Sequence, residues 1–316
     1  MTIRWALTCT IVTICILAAC TLAIIPTPFT AASDIVPLHA RVALVGDLQR
    51  TSVLEVWRER NDRQRAALIR QIRASRPDAL ITLGDHVFWG PSTEDWQYFD
   101  RVMQPIRELN IPVFPVLGNH EYFGSDAAMM ENVKQRFPSF DSTYYYTVID
   151  SVAYVLLNTN YRDIGMRAMS IQRDWYITTM HRLDNDPSVL FIVVCGHHPP
   201  FTNSTVVDDD DILQSFFVPA FVHSKKGAIW FSGHCHAYEH FFYDTKHFVV
   251  SGGGGGPRQR LLIKEYAQHA DQYDGPMVRP FHYCIVQREG PILYFEMHPL
   301  HTTTPTPGDA FAIKRK

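Results

Sequence analysis

Five short apolar runs in this chain each end at or next to a glycine followed by a polar residue of a metal-binding type. Arg41-Val42-Ala43-Leu44-Val45 leads into Gly46-Asp47-Leu48-Gln49, and Ala79-Leu80-Ile81-Thr82-Leu83 leads into Gly84-Asp85-His86. Val113 to Leu117 leads into Gly118-Asn119-His120-Glu121, Leu190 to Cys195 into Gly196-His197-His198-Pro199-Pro200, and Ala228 to Phe231 into Gly233-His234-Cys235-His236. Short runs of this kind, closed by glycine, read as buried strands. Helical spacing fills the segments between them, and alternating strands and helices make an α/β domain. In open α/β sheets the ligand crevice lies beyond the carboxyl ends of the strands. The runs therefore deliver Asp, Asn and His to one edge.

Between the runs, a polar helix with Leu68, Ile69 and Ile72 is expected to cover one face of a sheet. Ser92-Thr93-Glu94-Asp95 offers an N-cap to a helix whose Trp96, Phe99, Val102, Met103 and Ile106 recur at helical spacing, as core residues do. Pro115 weakens the pairing of the third strand near it, because proline has no N–H to give a ladder. Tyr144 to Val148 and Val152 to Leu157 flank Asp150-Ser151 as a hairpin that begins a second sheet. Ser170 to Leu183 is a helix, and Asp208 to Asp211 a solvated loop and helix start whose acids suit the amino-terminal dipole. Phe248 to Ser251 runs into Gly252 to Gly256, and Tyr283 to Gln287 with Ile292 to Met297 form a final hairpin. From His301 the tail is expected to be disordered.

A length of 316 residues suits one large α/β domain, and 46% hydrophobic with 19% charged residues is an ordinary globular balance. A formal charge of -3 provides no basic surface for nucleic acid. Cys9, Cys15 and Cys20 fall in an apolar amino-terminal segment, which leaves Cys195, Cys235 and Cys284 in the body and no disulfide framework. From Trp5 to Ile25 there is no charge; Arg4 precedes the stretch, and Pro26 and Pro28 follow it. Such a segment spans a membrane or directs export, so the body is expected to be extracytoplasmic. Leu17-Ala18-Ala19-Cys20 resembles a lipobox, Thr30-Ala31-Ala32 a small-residue cleavage site, and the uncut segment is long enough to anchor the protein. The expected organisation is a signal peptide or anchor over 1–32, a linker over 33–40, a domain over 41–300 and a polar tail over 301–316.

Carboxylate and amide oxygens suit hard cations and imidazole suits borderline ones, so the strand-end residues form the donor set for a pair of divalent ions. Two such ions at about 3.5–4 Å clamp a phosphoryl group and lower the pKa of a bound water. The ordered set Gly46-Asp47, Gly84-Asp85, Gly118-Asn119-His120-Glu121, Gly196-His197 and Gly233-His234-Cys235-His236 resembles that of the calcineurin-like metallophosphoesterases. Gly233 to Glu239, reading Gly-His-Cys-His-Ala-Tyr-Glu, resembles the purple acid phosphatase branch. The resemblance spans about Arg41 to Leu300. It implies a four-layer αββα sandwich of two mixed sheets, and hydrolysis of phosphate mono- or diesters by a metal-bound hydroxide. It also implies two metal ions (Fe, Mn or Zn). Asp47 and His236 would bind the first, Asp85 would bridge, and Asn119, His197 and His234 would bind the second. His120 would face the substrate, a phosphorylated small molecule or surface polymer, as the proton donor.

The chain departs from the family twice. Gln49 stands where many members have a histidine, so the first ion would take its amide oxygen or a water. Phe88 stands where purple acid phosphatases have a metal-binding tyrosine, so no iron–tyrosinate is expected. Gly252 to Gly256 lacks the Lys-Ser or Lys-Thr of a P-loop. Close backbone approach to substrate remains its expected use, with Arg258 as a phosphate clamp and His198, Trp89, Tyr122 and Tyr238 beside the pocket. A metal-stabilised surface protein that only binds a partner is the alternative. It would have no need of His120.

Overall fold

The computed structural model describes residues 27–31, 38–138, 140–300 and 306–315. The apolar stretch with Cys20 and the lipobox lies outside the described residues, as do residues 32–37 of the linker. The described elements, in order, are β1 (Arg41–Val45), α1 (Asp62–Ala74), β2 (Ala79–Leu83), α2 (Thr93–Arg107), β3 (Val113–Val116) and α3 (Asp126–Arg136). Next come β4 (Tyr145–Ile149), β5 (Val152–Leu156), α4 (Tyr161–Asn185), β6 (Phe191–Cys195), α5 (Asp211–Phe216) and α6 (Val218–His223). The chain continues through β7 (Gly227–Ser232), β8 (Tyr238–Tyr243), β9 (Lys246–Ser251), β10 (His282–Glu289), β11 (Ile292–Pro299) and β12 (Asp309–Lys314).

The strands form two six-stranded sheets, in the orders β12-β11-β10-β1-β2-β3 and β4-β5-β6-β7-β9-β8. Both are mixed. β1, β2 and β3 run parallel with β10 antiparallel beside them; β5, β6, β7 and β9 run parallel between the antiparallel β4 and β8. Strand residues alternate between faces, and here both faces are buried. Val42, Leu44, Ile81 and Leu83 join Tyr154, Leu156, Val193 and Phe231 in a core between the sheets. Ala43, Val45 and Leu80 turn the other way onto Leu68, Ile69, Ile72, Trp96, Phe99 and Met103 of α1 and α2. Val155, Ile192, Val194 and Trp230 likewise face Tyr176, Met180, Leu213 and Phe221 of α4, α5 and α6. The layers are helix, sheet, sheet, helix, as expected.

Ser92 caps α2 by accepting from Asp95 N–H at 3.2 Å, and Asp210 caps α5 by accepting from Leu213 N–H at 2.8 Å. Pro115 is accommodated because β3 is an edge strand of its sheet. The α4 helix begins earlier than Ser170, at Tyr161, and is broken at Gly165, whose φ of 80° is in the left-handed region that favours glycine. Cys195, Cys235 and Cys284 are buried free thiols.

Two expectations are corrected. The tail is not wholly disordered: Asp309–Lys314 is β12, paired antiparallel with β11 from Ile292↔Lys314 to Met297↔Asp309, so Ile292 to Met297 does not end the sheet. Nor does the fold begin at Arg41. Phe29 is buried in the core over the first sheet, and Thr30 bridges to Pro112 beside β3.

Candidate metal centre

The parallel strands of both sheets end at the same edge, and the glycines that follow let the loops converge. Gly46 N–H donates to Ser251 C=O, Asp47 N–H to Gly84 C=O, Gly196 N–H to Phe231 C=O and Gly233 N–H to His197 C=O, all at 2.9–3.1 Å. The turns are tight enough to hold Asp47, Asp85 and His234 at φ of 63°, 55° and 65°. L-residues rarely adopt that region, and where they do they cluster at functional sites. Space is equally limited. A Cβ at Gly118 would meet Asp85 Oδ1 at 2.2 Å, and one at Gly233 would meet Asp47 Oδ2 at 2.6 Å.

These turns bring two groups of candidate metal ligands together, Asp85 with His197 and His234, and Asp47 with Asp85 and His236. Asp85 belongs to both groups. In the first group, His197 Nε2 lies 3.0 Å from Asn119 Oδ1, 3.2 Å from His234 Nδ1 and 3.4 Å from Asp85 Oδ1. In the second, His236 Nε2 lies 3.4 Å from Asp47 Oδ1 and 3.1 Å from the Gln49 amide nitrogen, which is also 3.1 Å from Asp85 Oδ2. Gln49 Oε1 is buried and has no hydrogen-bond partner among the described residues.

The tautomers follow from what surrounds the rings. His197 Nδ1 meets Leu83 C=O at 2.8 Å, and His236 Nδ1 meets Pro257 C=O at 2.8 Å. A carbonyl only accepts, so each Nδ1 carries a hydrogen, and in the neutral ring it is Nε2 that presents its lone pair to the cluster. Metal-binding histidines are oriented by such bonds. Lone pairs of two imidazoles, an amide oxygen and carboxylates thus converge at about 3 Å with few protons among them. A cation satisfies that arrangement, and the residues fit a metal pair.

The protein's own charges are strained here. Burial opposes ionisation of Asp85, yet His197 and His120 hold it well below the usual carboxylate range. Burial pushes Asp47 up. Burial would also remove the proton of His197, but the Asp85 carboxylate prevails and raises it to about 9. Burial and the His197 charge bring His198 down to about 3, and burial drives His234 well below the ordinary range. Cations would hold the imidazoles neutral and the carboxylates ionised, because both must offer lone pairs.

His120 stands apart from both ligand groups. Its N–H donates to Asp85 Oδ1 at 3.0 Å, and its ring Nδ1 meets Phe88 C=O at 2.8 Å, which leaves Nε2 facing Asp85 Oδ2 at 3.9 Å. Phe88 and Phe123 flank the ring at 4.9 and 4.6 Å between centroids. The phenylalanine in the tyrosine position thus serves as a wall. His198 Nδ1 lies 2.9 Å from Thr159 Oγ1, and its ring is 4.5 Å from that of His234.

Other expected residues have different work. Arg258 is engaged by Glu59 at 2.7 Å and lies over Phe281 at 4.9 Å. Tyr238 is buried and donates to Asp309, Tyr122 accepts from Asn158, and Trp89 is half-exposed beside Phe123. Gly252 to Gly256 packs against the ligands: Gly254 N–H donates to Gly46 C=O and Gly256 N–H to Asp47 C=O.

Three positioning residues escaped the sequence reading. Buried Glu121 accepts from the N–H groups of Gly118, His86 and Asp85 at 2.7–2.9 Å, tying the second and third strand-end loops together. Its place in Gly-Asn-His-Glu was the available signal. Buried Arg65 donates to Gln49 C=O at 2.7 Å and Gly255 C=O at 2.8 Å, joining the first loop to the glycine run. His86 meets Thr82 Oγ1 at 2.6 Å and packs on Trp96 and Phe99.

Comparison with known proteins agrees with this architecture. Residues 40–238 match the calcineurin-like phosphoesterase family. Purple acid phosphatase 22 of Arabidopsis thaliana is 23% identical over 240 residues, which is 70% of this chain and 51% of the relative. The chain thus spans about half the length of the curated relative it matches. A purple acid phosphatase from yellow lupin (Lupinus luteus) seeds shares the fold at a TM-score of 0.66 and 14% identity, over 92% of this chain and 55% of that one. So does the anchor protein of the inner membrane complex of Plasmodium, at a TM-score of 0.64 and 13% identity, over 89% of this chain and 90% of that one. With that match running from the residue before β1 through the His234-Cys235-His236 turn into the start of β8, the chain belongs to the calcineurin-like phosphoesterase family.

Proposed function

We propose that this protein hydrolyses phosphate esters with the help of two metal ions. The observation that carries the reading is the pair of ligand groups sharing Asp85, with His120 beside Asp85 in neither group. Asp47 and His236 would hold one ion, joined by Gln49 if its amide turns to put the oxygen where the nitrogen now lies; Asn119, His197 and His234 would hold the other, and Asp85 both. Fe, Mn and Zn all suit this mixture of imidazole and oxygen donors. Such ions, when bound, polarise phosphoryl oxygens and lower the pKa of a water. The remaining work belongs to the chain. His120, its Nδ1–H fixed on Phe88 C=O, presents Nε2 to the site and holds a proton there for the leaving alkoxide. His198, beside His234, faces the phosphate.

The substrate is a phosphorylated small molecule or a phosphorylated surface polymer. The uncharged stretch from Trp5 to Ile25 supports an exported, membrane-anchored or lipid-modified protein. Among the described residues no helix is long and apolar enough to cross a membrane.

A purely binding role, the alternative, gives His120 nothing to do. The deciding experiment compares wild type with His120→Asn on an alkyl and an aryl phosphate while bound metal is measured. Metals retained with a loss of roughly 10²–10⁴ in rate, largest for the alkyl ester, is the expected result. An unchanged rate on both esters would refute the role of His120, and no turnover by the metal-loaded wild type would favour the binding protein.

A further inference from the structure

Residues 27–31 precede the expected start of the domain, yet they are built into it. Phe29 is 2% exposed. Its ring stacks on Phe137 at 5.1 Å and meets Phe99 edge-on at 6.2 Å. The Arg107 guanidinium lies over it at 4.0 Å. That cover is itself fixed, because Asp100 accepts from Arg107 at 2.7 Å and from Arg136 at 2.8 Å, and both arginines are buried. The main chain is held as well: Phe29 N–H donates to Arg136 C=O at 2.8 Å, and Thr30 makes a parallel bridge to Pro112. The segment thus lies along the outer edge of β3. Removing Phe29 would open a cavity under a desolvated guanidinium and uncover a sheet edge, both costly.

We propose that Phe29 is a plug retained in the mature protein, so that the chain is not cut after Ala32 and the segment before Phe29 stays attached as a membrane tether, through the uncut apolar stretch or through a lipid on Cys20. Of the three fates open to the amino terminus, an uncut anchor and a lipid-modified Cys20 both keep Phe29; cleavage before Ser33 discards it. Pro26, Thr27 and Pro28 alone separate Ile25 from Phe29, which leaves at most about 14 Å between the end of the apolar stretch and the folded domain. Because Thr30 pairs at the start of β3 and the metal ligands follow its end, the centre stands roughly 20 Å further along the strand direction. The tether and the site are therefore at opposite ends of the first sheet.

The membrane part of this inference rests on the export reading above; the packing of Phe29 does not. The test uses the full-length chain. Its mature amino terminus is determined by intact mass and amino-terminal sequencing, and thermal unfolding is compared for wild type, Phe29→Ala and the milder Phe29→Leu. A mature chain that begins at or before Phe29 is expected. So is a fall in Tm on the order of 10 °C for Phe29→Ala, with a smaller fall for Phe29→Leu. A chain that begins at Ser33 would overturn the proposal, and so would unchanged Tm in both variants. A chain recovered free of membranes would overturn the tether, while the Tm comparison would still decide the plug.

Discussion

Replacing Glu121 by glutamine tests whether one buried carboxylate holds the metal loops in register. Oε2 accepts from Gly118 and Asp85 N–H at 2.7 and 2.9 Å, and Oε1 from His86 and Val87 N–H at 2.8 and 3.3 Å. Glutamine keeps one acceptor oxygen and turns an NH₂ group toward two backbone donors. Hydrogen bonds to a charged group contribute about 1.5–3 kcal/mol each, so losing two costs about 3–6 kcal/mol. At about 2–4 °C per kcal/mol for a domain of this size, Tm should fall by about 6–24 °C. Because Asp85 and Asn119 lose their fixed backbone, metal affinity should also fall, by about 10–100-fold as for other groups that orient ligands. Calorimetric unfolding and metal titration of Glu121→Gln read the two effects. A variant within a degree or two of wild type, with unchanged metal affinity, would refute the reasoning.

Glu239 carries a pH prediction. Burial pushes its carboxyl from 4.5 up to about 7. With the folded value above the unfolded one, its contribution to stability is complete below about 4.5 and is lost as pH rises through about 7. Glu239→Gln should flatten the dependence of Tm on pH in that window; an unaltered profile would mean the group is solvated. Gly252→Ala should disturb the first metal position, because a Cβ there meets Cys235 C=O at 2.1 Å and Asp47 Oδ2 at 2.8 Å. The expected result is a loss of stability of about 1–3 kcal/mol or more in denaturant unfolding and reduced metal content, and a wild-type response in both would contradict the close packing.

The layers and the ligand edge were legible because each buried strand is a continuous apolar run and each ligand follows one within a few residues. Asp47, Asp85, Asn119, His197, His234 and His236 could be placed together without any long-range contact being known. What stayed illegible depends on partners distant in sequence. Arg65 looks like one more charge on a polar helix, and nothing nearby announces its bonds to Gln49 and Gly255. Phe29 sits in a proline-flanked segment without periodicity, and its pocket comes from α2 and α3. The β12 strand did carry a signal, Ala310-Phe311-Ala312-Ile313, but the polar, proline-containing residues before it masked the short alternation. Arg258 shows the converse: a cation beside a glycine run invites a phosphate, and Glu59 takes it instead.

Metal content tests the central claim most directly. Purified wild type, Asp85→Asn and Asn119→Ala would be loaded with Mn, Fe or Zn, freed of excess ion and assayed for bound metal and phosphate-ester hydrolysis before and after chelation. The account predicts about two ions per chain in wild type, with activity lost on chelation and restored by the metal. It predicts depletion at both positions in Asp85→Asn and chiefly at one in Asn119→Ala. An active wild-type preparation without metal, or full occupancy in both variants, would contradict it.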